Sequence, residues 1–184
     1  MHTLILGGAA SGKSSFAEKY ACDCARKKNA SLVYVATLNP DAGGDTAERI
    51  QKHRAARAGK GFVTAEWWDC SVTLSFDAQT VVLVEDFGNL VANYLFPQGK
   101  PPLEICADSA VGDLLRLLQE TFSQCADCIC VSNEISLGGN IPDDLRLYAE
   151  TLAKLNVRWA ALCDEVYAVV AGIPVRISEA ATKH

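Results

Sequence analysis

The sequence predicts an α/β protein of three layers, in which helices cover both faces of a mostly parallel sheet that ends in a C-terminal hairpin. Short apolar runs of strand length alternate with longer segments of helical periodicity along the chain. The run Thr80–Glu85 is β-branched and ends in an acid, which is typical of a central parallel strand. Because the chain has 184 residues, we expect one domain over residues 1–184.

The elements follow in order from the apolar spacing and from the turn residues between them. Strands are expected at residues 3–6, 32–36, 62–67, 80–85, 128–132, 166–170 and 175–177. Helices are expected at residues 13–28, from Asp45 or Thr46 to about 58, at 107–124 and at 145–162. Glycine-containing loops are expected at 37–44 and 133–143, and Gly172-Ile-Pro174 is expected to join the two strands of the hairpin.

Composition excludes several classes of protein. Seventeen basic and 22 acidic residues give a net charge of −5, so no general affinity for nucleic acid is expected. The apolar runs are too short for a membrane span, and the N-terminus has no basic segment or cleavage site of a secretory signal. We therefore expect a cytoplasmic protein whose eight cysteines are mostly reduced. Cys125 and Cys128 have no matching second pair, so structural thiols are favoured over a zinc site.

A glycine-rich segment after the first strand matches the phosphate-loop pattern G-x-x-x-x-G-K-[ST] at each fixed position. Its residues are Gly7, Gly8, Ala9, Ala10, Ser11, Gly12, Lys13 and Ser14. A strand precedes this segment and a helix follows it, so its backbone N–H groups and the positive helix end are expected to bind phosphate. Lys13 is expected to reach the β- and γ-phosphates, and the Ser14 hydroxyl to hold Mg²⁺. The segment therefore predicts a site for a nucleoside triphosphate.

The metal ion needs a second ligand, normally an acid at the end of another parallel strand. Glu85 directly follows an apolar run, so it is expected to emerge at the carboxyl edge of the sheet near Ser14. Asp86 is the weaker candidate because its side chain is expected to point the other way. A strand-terminal acid that faces solvent is the alternative reading.

His53 is the only histidine far from the chain ends. In a helix, Arg49, His53 and Arg57 recur every four residues and share one face. The neighbouring guanidinium groups favour a neutral imidazole, which is the form that attacks phosphorus. A solvated basic helix with an incidental histidine explains the spacing equally well.

The order of the motifs resembles one known family, the bifunctional adenosylcobinamide kinase / adenosylcobinamide-phosphate guanylyltransferases. The resemblance covers essentially the whole chain, and its most specific parts are Arg-Ile-x-x-His and Thr-Ala-Glu. Beyond the phosphate loop, the matching segments are Tyr34–Thr37, Glu48–Arg57, Thr64–Glu66, Val84–Glu85, Ser132–Glu134 and Asp164–Tyr167.

The resemblance implies a P-loop fold of the recombinase type, a homotrimer and two reactions. In the first, a nucleoside triphosphate (ATP or GTP) phosphorylates the aminopropanol hydroxyl of adenosylcobinamide. In the second, GMP passes from GTP to adenosylcobinamide phosphate through a guanylylated histidine, here His53. The resemblance further implies guanine-nucleotide contacts by Ala36, Thr37, Leu38, Arg54, Ala55, Ala56, Arg57 and Glu66, and it matches Glu85 to the family's strand-end acid.

Several positions depart from the family pattern. Ala10 replaces an arginine inside the phosphate loop, and Ser136 replaces a glycine after Asn133-Glu-Ile. In the helix that follows, Ala149 and Ala153 replace an arginine and a glycine. The departures put the kinase reaction or the choice of acceptor in question more than guanylyl transfer. The alternatives are therefore a guanylyltransferase with weak or lost kinase activity, a P-loop small-molecule kinase that does not need His53, and a non-catalytic nucleotide-dependent regulatory protein.

Overall fold

The computed structural model describes residues 1–40, 46–69, 74–135 and 141–179, which form a seven-stranded sheet with helices on both faces. The strands are β1 (His2–Leu6), β2 (Ser31–Ala36), β3 (Phe62–Glu66), β4 (Thr80–Glu85), β5 (Asp127–Val131), β6 (Glu165–Val170) and β7 (Ile173–Glu179). The helices of the described residues are α1 (Lys13–Lys28), α2 (Thr46–Arg57), α3 (Phe87–Leu95), α4 (Ala107–Phe122) and α5 (Asp143–Ala160).

The sheet has the strand order β3-β2-β4-β5-β1-β6-β7. Strands β1 to β6 are parallel, and β7 pairs antiparallel with β6. The predicted mostly parallel sheet and C-terminal hairpin are therefore confirmed. Because β5 lies between β1 and β4, the carboxyl ends of these three strands meet at one edge of the sheet.

Two apolar clusters bury the two faces of the sheet and confirm the three layers. On one face, side chains of β4 and β5 pack with α3, α4 and α5, and this cluster includes Leu114 and Trp159. On the other face, Ile5 and Leu83 pack with the small residues of α1, such as Ala17. Every residue of β4 is buried, as a central parallel strand requires. Cys128 and Cys130 are buried within β5, in agreement with structural thiols.

The ends of α1 agree with the prediction. The helix begins at Lys13, and Asn29 ends it in the left-handed conformation, where its backbone N–H bonds the carbonyls of Ala25 and Arg26. The last turn carries basic residues, which interact favourably with the negative end of the helix.

Two parts of the fold differ from the prediction. Helix α3 is absent from the predicted elements, although its buried residues Phe87, Leu90, Val91 and Leu95 recur at helical spacing. Asp86 is the N-cap of this helix. The predicted hairpin connection Gly172-Ile-Pro174 was wrong, since Ala171 and Gly172 alone form the turn. Pro174 lies within β7, and an edge strand tolerates proline because it need not donate to a ladder on both sides.

Some expectations fall outside the described residues, namely the cap at Asp45 and the glycine pairs at 43–44 and 138–139. Within the described ranges, the structure contains no helix that is both long and apolar enough to cross a bilayer.

Candidate active site

The phosphate loop lies between β1 and α1 and packs against the turn of the hairpin. Gly7 has φ +155°, and a Cβ there would lie 2.5 Å from the carbonyl oxygen of Val169. Gly12 has φ +96°, and its Cβ would lie 3.2 Å from the Cα of Gly172. The Gly172 N–H donates to the carbonyl oxygen of Ser11 over 2.8 Å. Both loop glycines are therefore required by their backbone conformation and by the close approach of the hairpin.

The side chain of Lys13 is folded back into the loop. Its ammonium nitrogen donates to the carbonyl oxygen of Gly8 over 2.6 Å, and the residue is buried. Burial lowers the pKa of Lys13, while the carboxylates of Asp86, Glu85 and Glu134 oppose that shift by favouring the charged form. These contacts place a cation among three acids at the carboxyl edge of the sheet.

Ser14 and Glu85 meet directly, which confirms their expected placement at this edge. The Ser14 hydroxyl donates to Oε1 of Glu85. The pKa of Glu85 is raised to about 6, mainly by burial and to a smaller extent by the neighbouring charge of Asp86, while the hydrogen bond from Ser14 opposes the rise. The other oxygen of Glu85, Oε2, is buried without a hydrogen-bond partner among the described residues. A hydroxyl beside an unpartnered carboxylate oxygen is a donor set that fits Mg²⁺.

Asp86 has a different role from its neighbour. Its Oδ1 accepts the backbone N–H of Asn89 over 2.8 Å and caps α3, and its Oδ2 accepts from Nδ2 of Asn133 over 3.3 Å. Both oxygens are thus engaged in holding the fold, and Glu85 remains the better metal ligand of the two.

A cavity of about 400 Å³, here called the P-loop cavity, opens between the phosphate loop and the ends of β2, β4 and β5. The predicted site residues on its wall are Ala9, Ala10, Lys13, Ser14, Leu38 and Glu85. Asp86 also lies on this wall, which contradicts the expectation that its side chain points away from that of Glu85. The other residues of the wall, for which the sequence predicts no role, are Tyr34, Asn89, Val131, Asn133, Glu134 and Ile135. Asn133 and Glu134 follow a buried strand, as Glu85 does, and that signal was available in the sequence. Tyr34 lies within an apolar run, which carries no such signal.

Helix α2 forms one wall of a second, smaller space of about 30 Å³, here called the α2 cavity. Arg57 is buried there, with its guanidinium carbon 3.4 Å from the centre of the Tyr34 ring. Its Nη1 has no hydrogen-bond partner within the described part of the chain. Tyr34, Leu38 and Glu85 also line the P-loop cavity, so the two spaces are neighbours.

Some of the remaining residues that were predicted to contact the nucleotide line the α2 cavity, and others do not. Ala36, Arg54 and Glu66 line the α2 cavity, and Arg54 donates to Glu66 over 3.2 Å. Ala55 is exposed on α2. His53 and Ala56 belong to α2, but their side chains lie outside the described part of the structure.

Thr37 lines neither cavity. It is fully buried, its hydroxyl donates to the carbonyl oxygen of Asp86 over 2.9 Å, and its own carbonyl accepts from Nδ2 of Asn93 over 2.8 Å. Through these hydrogen bonds, Thr37 holds the end of β2 against α3.

A strand, a glycine loop and a helix in register, with a strand-end acid bonded to the loop serine, define a P-loop α/β protein. Residues 3–177 match the family described as cobinamide kinase / cobinamide phosphate guanyltransferase, and the chain belongs to this family. The resemblance seen in the motifs is therefore confirmed.

Individual relatives agree with this family. The chain is 31% identical over 188 residues to the bifunctional adenosylcobalamin biosynthesis protein CobU of Salmonella typhimurium, covering 96% of this chain and 99% of that protein. It is 30% identical over 178 residues to the bifunctional adenosylcobalamin biosynthesis protein CobP of Pseudomonas aeruginosa, covering 95% and 96%. Among solved structures, the flagellar accessory protein FlaH from Methanocaldococcus jannaschii gives a TM-score of 0.47 at 13% identity, covering 97% of this chain and 78% of that one.

Proposed function

We propose that this protein phosphorylates adenosylcobinamide and then transfers GMP from GTP to adenosylcobinamide phosphate through a guanylylated His53. Family membership over nearly the whole chain supports both reactions. The observation that carries the proposal is the presence of Lys13, Ser14 and Glu85 in one cavity, which adjoins the α2 cavity. The α2 cavity is lined by residues of the helix that contains His53.

The phosphate loop is proposed to hold the triphosphate in both reactions. Its backbone N–H groups and the N-terminus of α1 supply partial positive charge, and Lys13 supplies a full charge. Lys13 bonds the carbonyl of Gly8, and phosphate oxygens are proposed to replace that partner when the nucleotide binds. GTP is the substrate of the transfer reaction, and GTP or ATP is the phosphate donor of the kinase reaction.

Ser14 and Glu85 are proposed to hold Mg²⁺. When bound there, the ion neutralises charge on the phosphate oxygens of the nucleotide. The buried Oε2 of Glu85 supports this assignment, because a carboxylate oxygen without a partner is costly unless a ligand satisfies it.

In guanylyl transfer, an imidazole nitrogen of His53 forms a bond to the α-phosphorus of GTP. The bond from that phosphorus to the bridging oxygen breaks, and pyrophosphate leaves to the phosphate loop. A phosphate oxygen of adenosylcobinamide phosphate then displaces GMP from the imidazole. The covalent relay divides the meeting of two polyanions into two displacements. Arg57 lies one helical turn from His53 and lines the α2 cavity beside this reaction path.

The proposal is tested with GTP labelled at the α-phosphate. The protein is incubated with Mg²⁺ and labelled GTP and then denatured, and we expect retained label that acid removes and alkali preserves, as for a phosphoramidate. His53→Ala should abolish the label, whereas Gln51→Ala, an exposed position in the same helix, should retain it. If the denatured wild-type protein retained no label, the proposed guanylyl-transfer reaction would be overturned.

A guanylyltransferase with weak or lost kinase activity is the second candidate. Ala149 and Ala153, which depart from the family pattern, line a third cavity beside the P-loop cavity, where an acceptor is expected to bind. Transfer of label from the γ-phosphate to adenosylcobinamide distinguishes the two candidates. A homotrimeric assembly belongs to the proposal as well and rests on the family resemblance. A cytoplasmic location also belongs to it and is supported by the described cysteines, which are free thiols.

A further inference from the structure

The third cavity, here called the α5 cavity, has a volume of about 310 Å³ and lies between α5 and the strands β1, β6 and β7. Its wall is mostly apolar and includes Leu152, Val157, Val166 and Ile177. Polar groups enter it only near the phosphate loop, at Asn133, Glu134 and Asn156, among the described residues that line it. A space of this kind suits a ligand that is apolar along its length and polar at one end.

The α5 cavity and the P-loop cavity share part of their lining. Asn133, Glu134 and Ile135, which follow β5, belong to both walls. A group that reaches from the α5 cavity toward the phosphate loop therefore passes these three residues. Phosphoryl transfer requires the acceptor hydroxyl and the terminal phosphate to meet, and this junction connects an acceptor space to the proposed phosphate site.

Three elements hold the junction in place. The Glu134 N–H donates to the carbonyl oxygen of Gly7 over 3.3 Å, which ties the junction to the phosphate loop. Asn133 donates through Nδ2 to Asp86 at the end of β4, and its carbonyl accepts from Nδ2 of Asn156 on α5 over 3.1 Å. The backbone that carries Glu134 is thus fixed from the loop, the sheet and the helix.

Glu134 is the carboxylate left free for a substrate. Of the three acids that attract Lys13, Glu85 is bonded to Ser14, and Asp86 caps α3. The carboxylate of Glu134 accepts no hydrogen bond from the side chains that the structure describes, and the residue is exposed to both cavities. Lys13 offsets part of the repulsion between this carboxylate and the nucleotide phosphates.

We propose, on the basis of the proposed kinase reaction, that the α5 cavity receives the hydroxyl-bearing arm of the acceptor and that Glu134 is the catalytic base of phosphoryl transfer. A carboxylate oxygen of Glu134 takes the hydroxyl proton while the hydroxyl oxygen forms a bond to the γ-phosphorus. The bond between the γ-phosphorus and the bridging oxygen breaks, its electron pair stays on the departing nucleoside diphosphate, and Glu134 returns its proton to water. The bulk of the acceptor remains outside the cavity.

The test compares two activities of Glu134→Gln with purified adenosylcobinamide as acceptor. The kcat of phosphoryl transfer should fall by about 10²-fold or more, as expected for loss of a general base. Adduct formation from GTP should persist, because no acceptor hydroxyl takes part in it. Glu120→Gln, an exposed carboxylate on α4, is the matched control and should leave both activities unchanged.

A second variant tests the acceptor space. Ala153 is exposed at the cavity wall, so Ala153→Phe should fill the cavity and raise the KM for the acceptor about tenfold or more. The KM for the nucleotide should stay near its wild-type value. Leu145→Phe, an exposed position on α5 that does not line the cavity, is the control.

The outcomes separate this inference from the proposed function. A wild-type protein that phosphorylates the acceptor while Glu134→Gln keeps a kcat within about threefold overturns the inference alone. The inference also falls if Glu134→Gln loses both activities together with nucleotide binding, since the residue would then be structural. If the wild type forms neither product, the proposed function itself fails.

Discussion

Glu85 is held where its charge is unfavourable in the absence of a ligand. Its carboxyl group is buried at the end of β4, one oxygen accepts from Ser14, and the other has no partner among the described residues. Burial raises its pKa from the ordinary value of 4.5 to about 6, so the folded state binds this proton more tightly than the unfolded chain does. This buried carboxylate lowers stability, and its position agrees with the proposed role as a ligand of Mg²⁺.

The stability of the nucleotide-free protein should therefore fall as Glu85 ionises. The folded state holds this proton more tightly than the unfolded state. The stabilisation of the folded state by the protonated carboxyl group is therefore fully present below pH 4.5 and is lost as the pH rises through about 6. The difference between the two pKa values corresponds to about 2 kcal/mol. Glu85→Gln, which stays neutral, should stabilise the metal-free protein at pH 7 by up to about 2 kcal/mol while abolishing both transferase activities.

Urea unfolding at pH 4.5 and pH 7, with chelator present, measures this effect. The free energies of unfolding of wild type and Glu85→Gln should differ more at pH 7 than at pH 4.5. If the two proteins differed equally in free energy of unfolding at both pH values, the raised pKa assigned to the buried Glu85 carboxyl group would be wrong.

At the scale of elements, the β6–β7 hairpin supports the phosphate loop. Its turn residues, Ala171 and Gly172, both have positive φ, at 50° and 80°, as in a type I′ turn. Gly172 donates to Ser11 and approaches Gly12, so the conformation of the turn is coupled to that of the loop. Ala171 is an unfavourable residue for this turn, because alanine is disfavoured in the left-handed region of backbone conformation.

Ala171→Asn should stabilise the protein by about 0.5–1 kcal/mol, because Asn-Gly is the preferred pair for a type I′ turn. The same substitution at Ala161, whose backbone is right-handed helical, serves as the control and should give no gain. The midpoints of urea unfolding compare the two variants. A loss of stability in Ala171→Asn would show that the turn does not have this conformation in solution.

Across the whole molecule, the strand order assembles the site from distant parts of the chain. The phosphate loop follows β1, Glu85 ends β4, and Asn133 and Glu134 follow β5; these three strands are neighbours in the sheet. Both faces of the sheet are buried, so their carboxyl ends form a rigid edge on which the side chains are placed.

Much of this arrangement was predictable from local patterns. Apolar runs located the strands, the glycine pattern located the phosphate loop, and the acid after a buried run predicted the contact of Glu85 with Ser14. The stacking of Arg57 on Tyr34 was not predictable, because it depends on how α2 packs against β2. The position of Glu134 after a buried strand was visible in the sequence, but its contact with the phosphate loop was not, because that contact depends on which strands are neighbours. Strand order is set by packing over long sequence separations, which local periodicity does not encode.

His53 is proposed to carry GMP between GTP and the acceptor. The most direct measurement is mass spectrometry of peptides from the protein incubated with GTP and Mg²⁺ and digested at alkaline pH. We expect a mass gain of one GMP on the peptide that contains His53, and loss of that gain when adenosylcobinamide phosphate is added. A gain on another residue, or none on any peptide, would contradict it.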